Sequence, residues 1–240
     1  MSLSCAFSAV IAVLTAVPLL LLPASSLAEA PAGESLPDGI EVPEKALCNV
    51  CALRGADHGD EDVVAWRYVD GELYTFCSEP CGEAFDGFPA AYIELPVPRP
   101  APEAHVALLD GTDLALHDAS GGLLLIDFWA TWCKPCIQAI PELTEIQSDF
   151  AEQGLRVVGV SIDEKGADHV RKFVEKKKIP YAVAVDHGEA PAWAAFGIAA
   201  VPSAFLLDAD GRIIAEWKGK SQPDEIRAAV EAELTRSAGS

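Results

Sequence analysis

Asp127-Phe-Trp-Ala-Thr-Trp-Cys-Lys-Pro-Cys136 decides how this chain folds. Leading into it, Leu123 to Phe128 is a short apolar run behind Gly121-Gly122, which reads as a strand buried on both faces. Two cysteines follow, three positions apart, with Pro135 between them. A proline suits the first turn of a helix, where its missing N–H is not needed. Beyond it Ile137, Ile140, Leu143, Ile146 and Phe150 recur at helical spacing. Cys133 is therefore expected at a helix entrance, where unpaired N–H groups and the helix dipole favour negative charge. The thiolate is the nucleophile of disulfide exchange. Cys133 should thus be ionised and exposed, and Cys136, one turn deeper, should attack the mixed disulfide that Cys133 forms. The pair could otherwise be half of a metal site or inert core cysteines. Strand, Trp-Cys, Pro and helix in that order favour a redox dithiol cycling through a Cys133–Cys136 disulfide.

The chain has 240 residues, room for a mid-sized domain and a smaller one, and half of them are apolar, enough for a real core. Its net charge of −20, from 37 acidic against 17 basic residues, disfavours nucleic acid and anionic membrane surfaces as partners. The seven cysteines fall as Cys5, then Cys48, Cys51, Cys77 and Cys81, then Cys133 and Cys136. Leu3 to Leu22 is almost wholly apolar, and Pro23-Ala-Ser-Ser-Leu-Ala28 offers a small-x-small cleavage pattern before Glu29. Residues 1–28 resemble a secretory signal peptide. No Lys or Arg precedes the long apolar run, so an uncleaved membrane anchor is the alternative. Cys5 stands at the start of that run and does not follow it, which argues against a lipoprotein cysteine. Either way the rest of the chain is expected on the exported side: periplasmic and soluble after cleavage, or N-terminally anchored.

Residues 29–45 are rich in Pro, Gly, Ala and acid without periodicity and read as a linker. A second linker, 96–104, places proline at alternate positions and should be extended and semi-rigid. Between them, residues 46–95 hold Cys48-Asn-Val-Cys51 and Cys77-Ser-Glu-Pro-Cys81. Val63 to Val69 and Glu72 to Phe76 read as strands joined by an Asp70-Gly71 hairpin turn. Ser78 is expected to cap a helix carrying Phe85, Phe88 and Tyr92, with Cys81 in its first turn. So few apolar residues call for a staple, which four thiolates around Zn²⁺ would supply in a small treble-clef-like module. Two disulfides are the alternative in an oxidising compartment. His58 could replace one sulfur, although a solvated His is the plainer reading. Tyr74-Thr-Phe-Cys-Ser-Glu-Pro-Cys81 with Ala84-Phe85 and Tyr92-Ile93 resembles the YHS/TRASH group of metal-binding modules, which implies Zn, Cu or another soft metal at Cys48, Cys51, Cys77 and Cys81.

From about 105 to 240 strands and helices alternate: a leading hairpin (Val106 to Leu109, Leu114 to Leu116), Leu123 to Phe128, the Cys133 helix, Arg156 to Ile162, a basic helix Asp168 to Lys178, Tyr181 to Val185 and a helix Ala190 to Phe196. A closing hairpin (Ala204 to Asp208, Arg212 to Trp217) and a last helix from Pro223 to Leu234 complete an α/β domain with a mixed sheet flanked by helices. Phe128-Trp-Ala-Thr-Trp-Cys-Lys-Pro-Cys136, Pro141 and Val201-Pro202 make this region similar to the thioredoxin-fold TlpA/ResA/DsbE family. The resemblance implies a thiol–disulfide oxidoreductase with no cofactor for catalysis, acting as a reductant on protein disulfides. Its targets would be metal-handling or cytochrome-maturation proteins, and its electrons would come from a membrane thiol donor. It further implies that Pro202 is a cis proline facing the dithiol and that the Val201 backbone pairs with substrate, with Trp132 shielding the dithiol. Lys134 can add positive charge near the thiolate. Asp127 interrupts the buried strand, and a desolvated carboxyl there could relay the proton of Cys136. Many TlpA relatives have Asn at that place and Glu three residues after the second cysteine, where this chain has Ala139. Asp127 is expected to take over that role. The competing view is a metal chaperone or sensor working through Cys48, Cys51, Cys77 and Cys81, with the thioredoxin domain keeping those thiols reduced.

Overall fold

The computed structural model describes residues 36–56, 59–186, 190–219 and 222–238. Residues 1–28, read above as a signal peptide, with Cys5 among them, and His58 lie outside these ranges. In chain order, β1 (Lys45–Ala46) pairs antiparallel with β2 (Glu61–Asp62) around α1 (Asn49–Leu53). Next comes the expected hairpin of β3 (Ala65–Val69) and β4 (Glu72–Phe76). Asp70 and Gly71 both take positive φ, 52° and 89°. A two-residue turn needs that conformation to match the strands' twist. The expected strand is shortened at its start: Val63 and Val64 precede β3, and Val64 is exposed.

The helix α2 (Glu79–Gly87) carries Cys81 in its first turn. Ser78 sits at the cap position in extended backbone, but its side chain makes no capping bond, contrary to expectation. Nor do Phe88 and Tyr92 lie on this helix. Pro89 follows, and the residue before a proline is pushed out of helical conformation; Phe88 has φ −155° and ψ 65°. Tyr92 still packs against Phe85, ring centroids 5.9 Å apart. Val50, Phe76 and Phe85 with Cys48 form a small core of their own.

The larger part consists of β5 (Arg99–Pro100), β6 (His105–Leu108), β7 (Asp113–Ala115), β8 (Leu123–Trp129), α3 (Lys134–Phe150), β9 (Leu155–Ser161), α4 (Ala167–Lys177), β10 (Ala182–Val185), α5 (Ala192–Ala195), β11 (Ser203–Leu207), β12 (Arg212–Lys218) and α6 (Pro223–Ala238). They build a mixed eight-stranded sheet in the order β5-β12-β11-β8-β9-β10-β6-β7. Central β8 is buried at all seven positions. It runs parallel to β9 and antiparallel to β11, which is why it reads as a continuous apolar run. Alternate residues of β8 serve opposite faces. Leu123, Leu125 and Trp129 meet α3, α4 and α6, whereas Leu124, Ile126 and Phe128 meet the short α5 and the coil around Leu116. The helical cover is thus uneven, heavy on the face that carries the dithiol.

The proline-rich segment 96–104 is extended but not a free spacer. Its Arg99 and Pro100 add an edge strand to β12, and Arg99 forms an ion pair with Glu216. An edge strand presents unpaired backbone groups, and a proline-containing segment is tolerated at such an edge. The four-cysteine part also touches the sheet. Lys218 Nζ donates to the Ala90 carbonyl at 3.3 Å, and the Leu53 carbonyl lies directly against Gly219. Gly219 has φ 76° and leaves no room for a Cβ, so only glycine suits this junction.

Candidate dithiol site and four-cysteine cluster

Cys133 occupies the N-cap of α3 in extended backbone, and its sulfur accepts the Cys136 N–H at 3.2 Å. The loop from β8 delivers it there, and Pro135 in the first turn fixes the helix start. Cys133 and Cys136 form a disulfide with Cα atoms 5.3 Å apart. The peptide bond Val201–Pro202 is cis, and Cys133 Sγ lies 3.7 Å from the Val201 carbonyl oxygen. Cys133, Cys136, Val201 and Pro202 are therefore brought together. The exposure expected of Cys133 differs: in the disulfide it is 4 % exposed and Cys136 2 %. The Val201 loop folds close over the sulfur from one side, leaving Trp132, 66 % exposed, as the protruding neighbour.

Asp127 sits on central β8, between Gly159 of β9 and Ala204 of β11. By strand alternation it faces the same side as Leu125 and Trp129, where Cys133 and Cys136 pack. A Cβ on Gly159 would collide with the Trp129 indole (2.9 Å) and the Tyr181 ring (3.2 Å), so those rings fill the space beside the carboxyl. Burial alone pushes Asp127 up to about 7. Tyr181 is also pushed up, first by burial and then by Asp127.

One residue escaped the sequence reading. Asp163, just beyond β9 and buried, accepts the Thr131 N–H (2.8 Å), the Thr131 hydroxyl (2.6 Å) and the Ser161 hydroxyl (2.7 Å). The Thr131 oxygen in turn accepts from His169 Nε2 at 2.9 Å, its own proton being given to Asp163. Thr131 is two residues before Cys133, so this carboxylate pins the loop that presents the dithiol. An acid one residue past an apolar strand looks like any surface acid in sequence, and no local spacing reveals the contact.

The second cluster joins Cys48 at the N-cap of α1, Cys51 within it, Cys77 after β4 and Cys81 in α2. Their four sulfurs lie within 4.8 Å of one another, and Cys51–Cys77, Cys51–Cys81 and Cys77–Cys81 are 3.7, 3.8 and 3.9 Å apart. A tetrahedron with Zn–S bonds of about 2.3 Å has an edge of roughly 3.8 Å. The donor set and its spacing fit such an ion. All four cysteines are free, not joined in disulfides. Burial opposes the Cys48 thiolate, but N–H groups of Cys77 and Cys51 and their thiols outweigh it and draw it down to about 7. Burial and the Cys48 thiol raise Cys51 to about 11, and the same causes raise Cys77.

A dithiol at the entrance of a helix that follows a central buried strand, facing a cis proline, defines a thioredoxin-fold thiol–disulfide oxidoreductase. Comparison with known proteins agrees. Residues 97–216, half of the chain, match the AhpC/TSA family, and the chain belongs to it. It is 29% identical over 154 residues to the thiol-disulfide oxidoreductase ResA of Bacillus thuringiensis subsp. konkukian, covering 64% of this chain and 88% of that one. It is 33% identical over 115 residues to the thioredoxin-like protein YneN of Bacillus subtilis, covering 47% and 66%. Among solved structures, a thiol:disulfide interchange protein of the thioredoxin family from Chlorobium tepidum superposes with a TM-score of 0.50 at 26% identity, covering 59% of this chain and 99% of that one. The thioredoxin domain of a Bacteroides vulgatus thiol-disulfide oxidoreductase gives 0.53 at 25% identity, with the same coverage.

Proposed function

We propose that the protein is an exported reductase of protein disulfides, joined to a YHS/TRASH-like module that holds a thiophilic metal ion. The observation that carries the reading is the placement of Cys133. It caps α3, is bonded to Cys136, and sits 3.7 Å from the Val201 carbonyl beside a cis proline. In the reduced protein the Cys133 thiolate attacks one sulfur of a substrate disulfide, forming a mixed disulfide and releasing the other substrate sulfur as a thiolate. Cys136 then loses its proton to Asp127 and attacks Cys133 Sγ. The Cys133–Cys136 disulfide forms and the second substrate thiol leaves. Two electrons pass from the protein to the substrate, and an external membrane thiol donor restores them. The Val201 backbone holds the substrate strand during the exchange, while Trp132 lies alongside.

Residues 46–95 act as the module and 105–240 as the thioredoxin-like domain, exported by way of residues 1–28. Cys48, Cys51, Cys77 and Cys81 would hold Zn²⁺ or another soft ion. Bound there, it would tie α1, the β3–β4 hairpin and α2 together, a role suited to a core as small as that of Val50, Phe76 and Phe85. Metal handling is then a second property of the chain, not a rival to the exchange. Among the described residues, no helix is long and apolar enough to cross a membrane.

The test is a reduction potential for Cys133/Cys136 with metal analysis of the same preparation. A potential near or below that of thioredoxin, about −270 mV, supports a reductase, and one near −120 mV, as in strong oxidants, would refute that direction. Cys133→Ser should abolish reduction of a protein disulfide and leave the metal content intact.

A further inference from the structure

Beside the dithiol lies a cleft of about 410 Å³ whose lining includes Trp132, Ile162, Pro191, Trp193, Ile198 and Val201. Three carboxylates also line it: Asp163, Glu164 and Asp186. Two are already satisfied by the fold. Asp163 receives the bonds from Thr131 and Ser161, and Asp186 receives the backbone N–H groups of Ala192 (2.9 Å) and Trp193 (2.7 Å). What the cleft offers a substrate is therefore chiefly apolar surface, with the exposed Glu164 as the one remaining acid in its lining. It is continuous with the sulfur, because Trp132 adjoins Cys133 and Val201 touches it.

Trp193 is the distinctive wall of this cleft. Asp186 fixes its backbone at the start of α5, yet the residue stays 36 % exposed. The Phe88 ring meets it edge-on, centroids 6.1 Å apart at 87°. Phe88 follows α2, so a residue of the four-cysteine part supports the redox cleft. A side chain held in place before binding loses less freedom when a ligand arrives.

We propose that Trp193 is a specificity-determining residue of the exchange. It selects polypeptides with a bulky apolar or aromatic side chain next to the target cysteine, and Phe88 is the positioning residue that holds it. This rests on the reading of Cys133/Cys136 as a reductase of protein disulfides.

The experiment uses the full chain, reduced, with oxidised peptides of one sequence that differ only in Phe, Leu or Ser beside the target cysteine. Oxidised glutathione serves as a disulfide without a bulky neighbour. Wild type should prefer Phe and Leu over Ser by roughly tenfold or more in kcat/KM, the range an apolar pocket can supply. Trp193→Ala should bring that ratio close to one, through KM and not kcat. Phe88→Ala should lose part of the preference while reducing oxidised glutathione at the wild-type rate, and Phe88→Tyr should restore it. A Trp193→Ala protein that keeps the preference overturns the inference. So do variants that slow every substrate equally, oxidised glutathione included. A wild type that reduces oxidised glutathione without any preference overturns the inference alone, whereas one that exchanges with no disulfide overturns the reductase reading as well.

Discussion

Replacing Asp127 by Asn removes a buried acid and keeps its shape, and its effect follows from the burial of that carboxyl. Burial raises it from its ordinary 3.8 to about 7 in the oxidised protein. A carboxyl with a raised folded-state pKa binds its proton more tightly in the folded chain than in the unfolded one. Stability from this group is therefore intact below about pH 4 and falls as pH rises through 7. That rise corresponds to about 4 kcal/mol in total. Roughly 3 kcal/mol of it falls between about pH 5 and pH 9, because the unfolded carboxyl is already ionised at the lower limit. The assay is urea unfolding of oxidised wild type and Asp127→Asn across that range. Taking the difference cancels the other ionisable groups. The variant should gain about 3 kcal/mol relative to wild type between the two ends. In the reduced proteins, the pH–rate profile of disulfide reduction should lose its inflection near 7 on the same substitution. Stability curves that run parallel at every pH would refute the burial argument, and an unchanged rate profile would refute the relay of the Cys136 proton.

Cys136→Ser should arrest exchange at the mixed disulfide, visible as a covalent adduct with a protein substrate on non-reducing electrophoresis, because nothing remains to attack Cys133. Asp163→Asn should cost about 1–3 kcal/mol in urea unfolding, since the amide nitrogen replaces one of the two oxygens and cannot accept what that oxygen received, the Thr131 hydroxyl at Oδ1 or the Thr131 N–H and Ser161 hydroxyl at Oδ2. The Cys133/Cys136 potential should move with it; an unaltered potential would remove Asp163 from the site. On the proposed metal site, the full chain should carry about one equivalent of metal, and Cys77→Ser should abolish it and expose the module to limited proteolysis. Gly219→Ala should destabilise by more than about 2 kcal/mol, combining a positive φ with collision against the Leu53 carbonyl, measured as a shift in urea midpoint.

What could be read in advance was what local physics dictates. The run Leu123 to Phe128 had to be central because both of its faces are apolar, and Pro135 with the helical repeat beyond it had to open a helix at Cys133. Asp70-Gly71 marked a turn that few other pairs can make. The cis bond at Pro202 was reached by resemblance alone, since no neighbouring residue demands it. The end of α2 was legible too, but was missed: Pro89 excludes Phe88 from the helix, because the residue before a proline avoids helical backbone. Spacing in Cys48-Asn-Val-Cys51 and Cys77-Ser-Glu-Pro-Cys81 pointed to four sulfurs meeting, and all four lie within 4.8 Å of one another.

Contacts between distant segments left no such trace. A proline at alternate positions in 96–104 speaks only of an extended backbone, and an extended backbone serves equally as a tether or as an edge strand. Which of these it becomes depends on β12, more than a hundred residues later, with Glu216 there to receive Arg99. Gly219 is similar: as a glycine after a strand it suggests a turn, while its packing against Leu53 is a tertiary fact. These contacts bear on the chemistry. Gly219 N–H donates to Ser203 Oγ at 3.3 Å, and Ser203 follows the cis proline. The four-cysteine part is thus two contacts from the residues that face the dithiol. Gly219 is therefore a neighbour shared by α1 and by the strand that follows Pro202, whereas a pair of independent beads on a flexible spacer would share none.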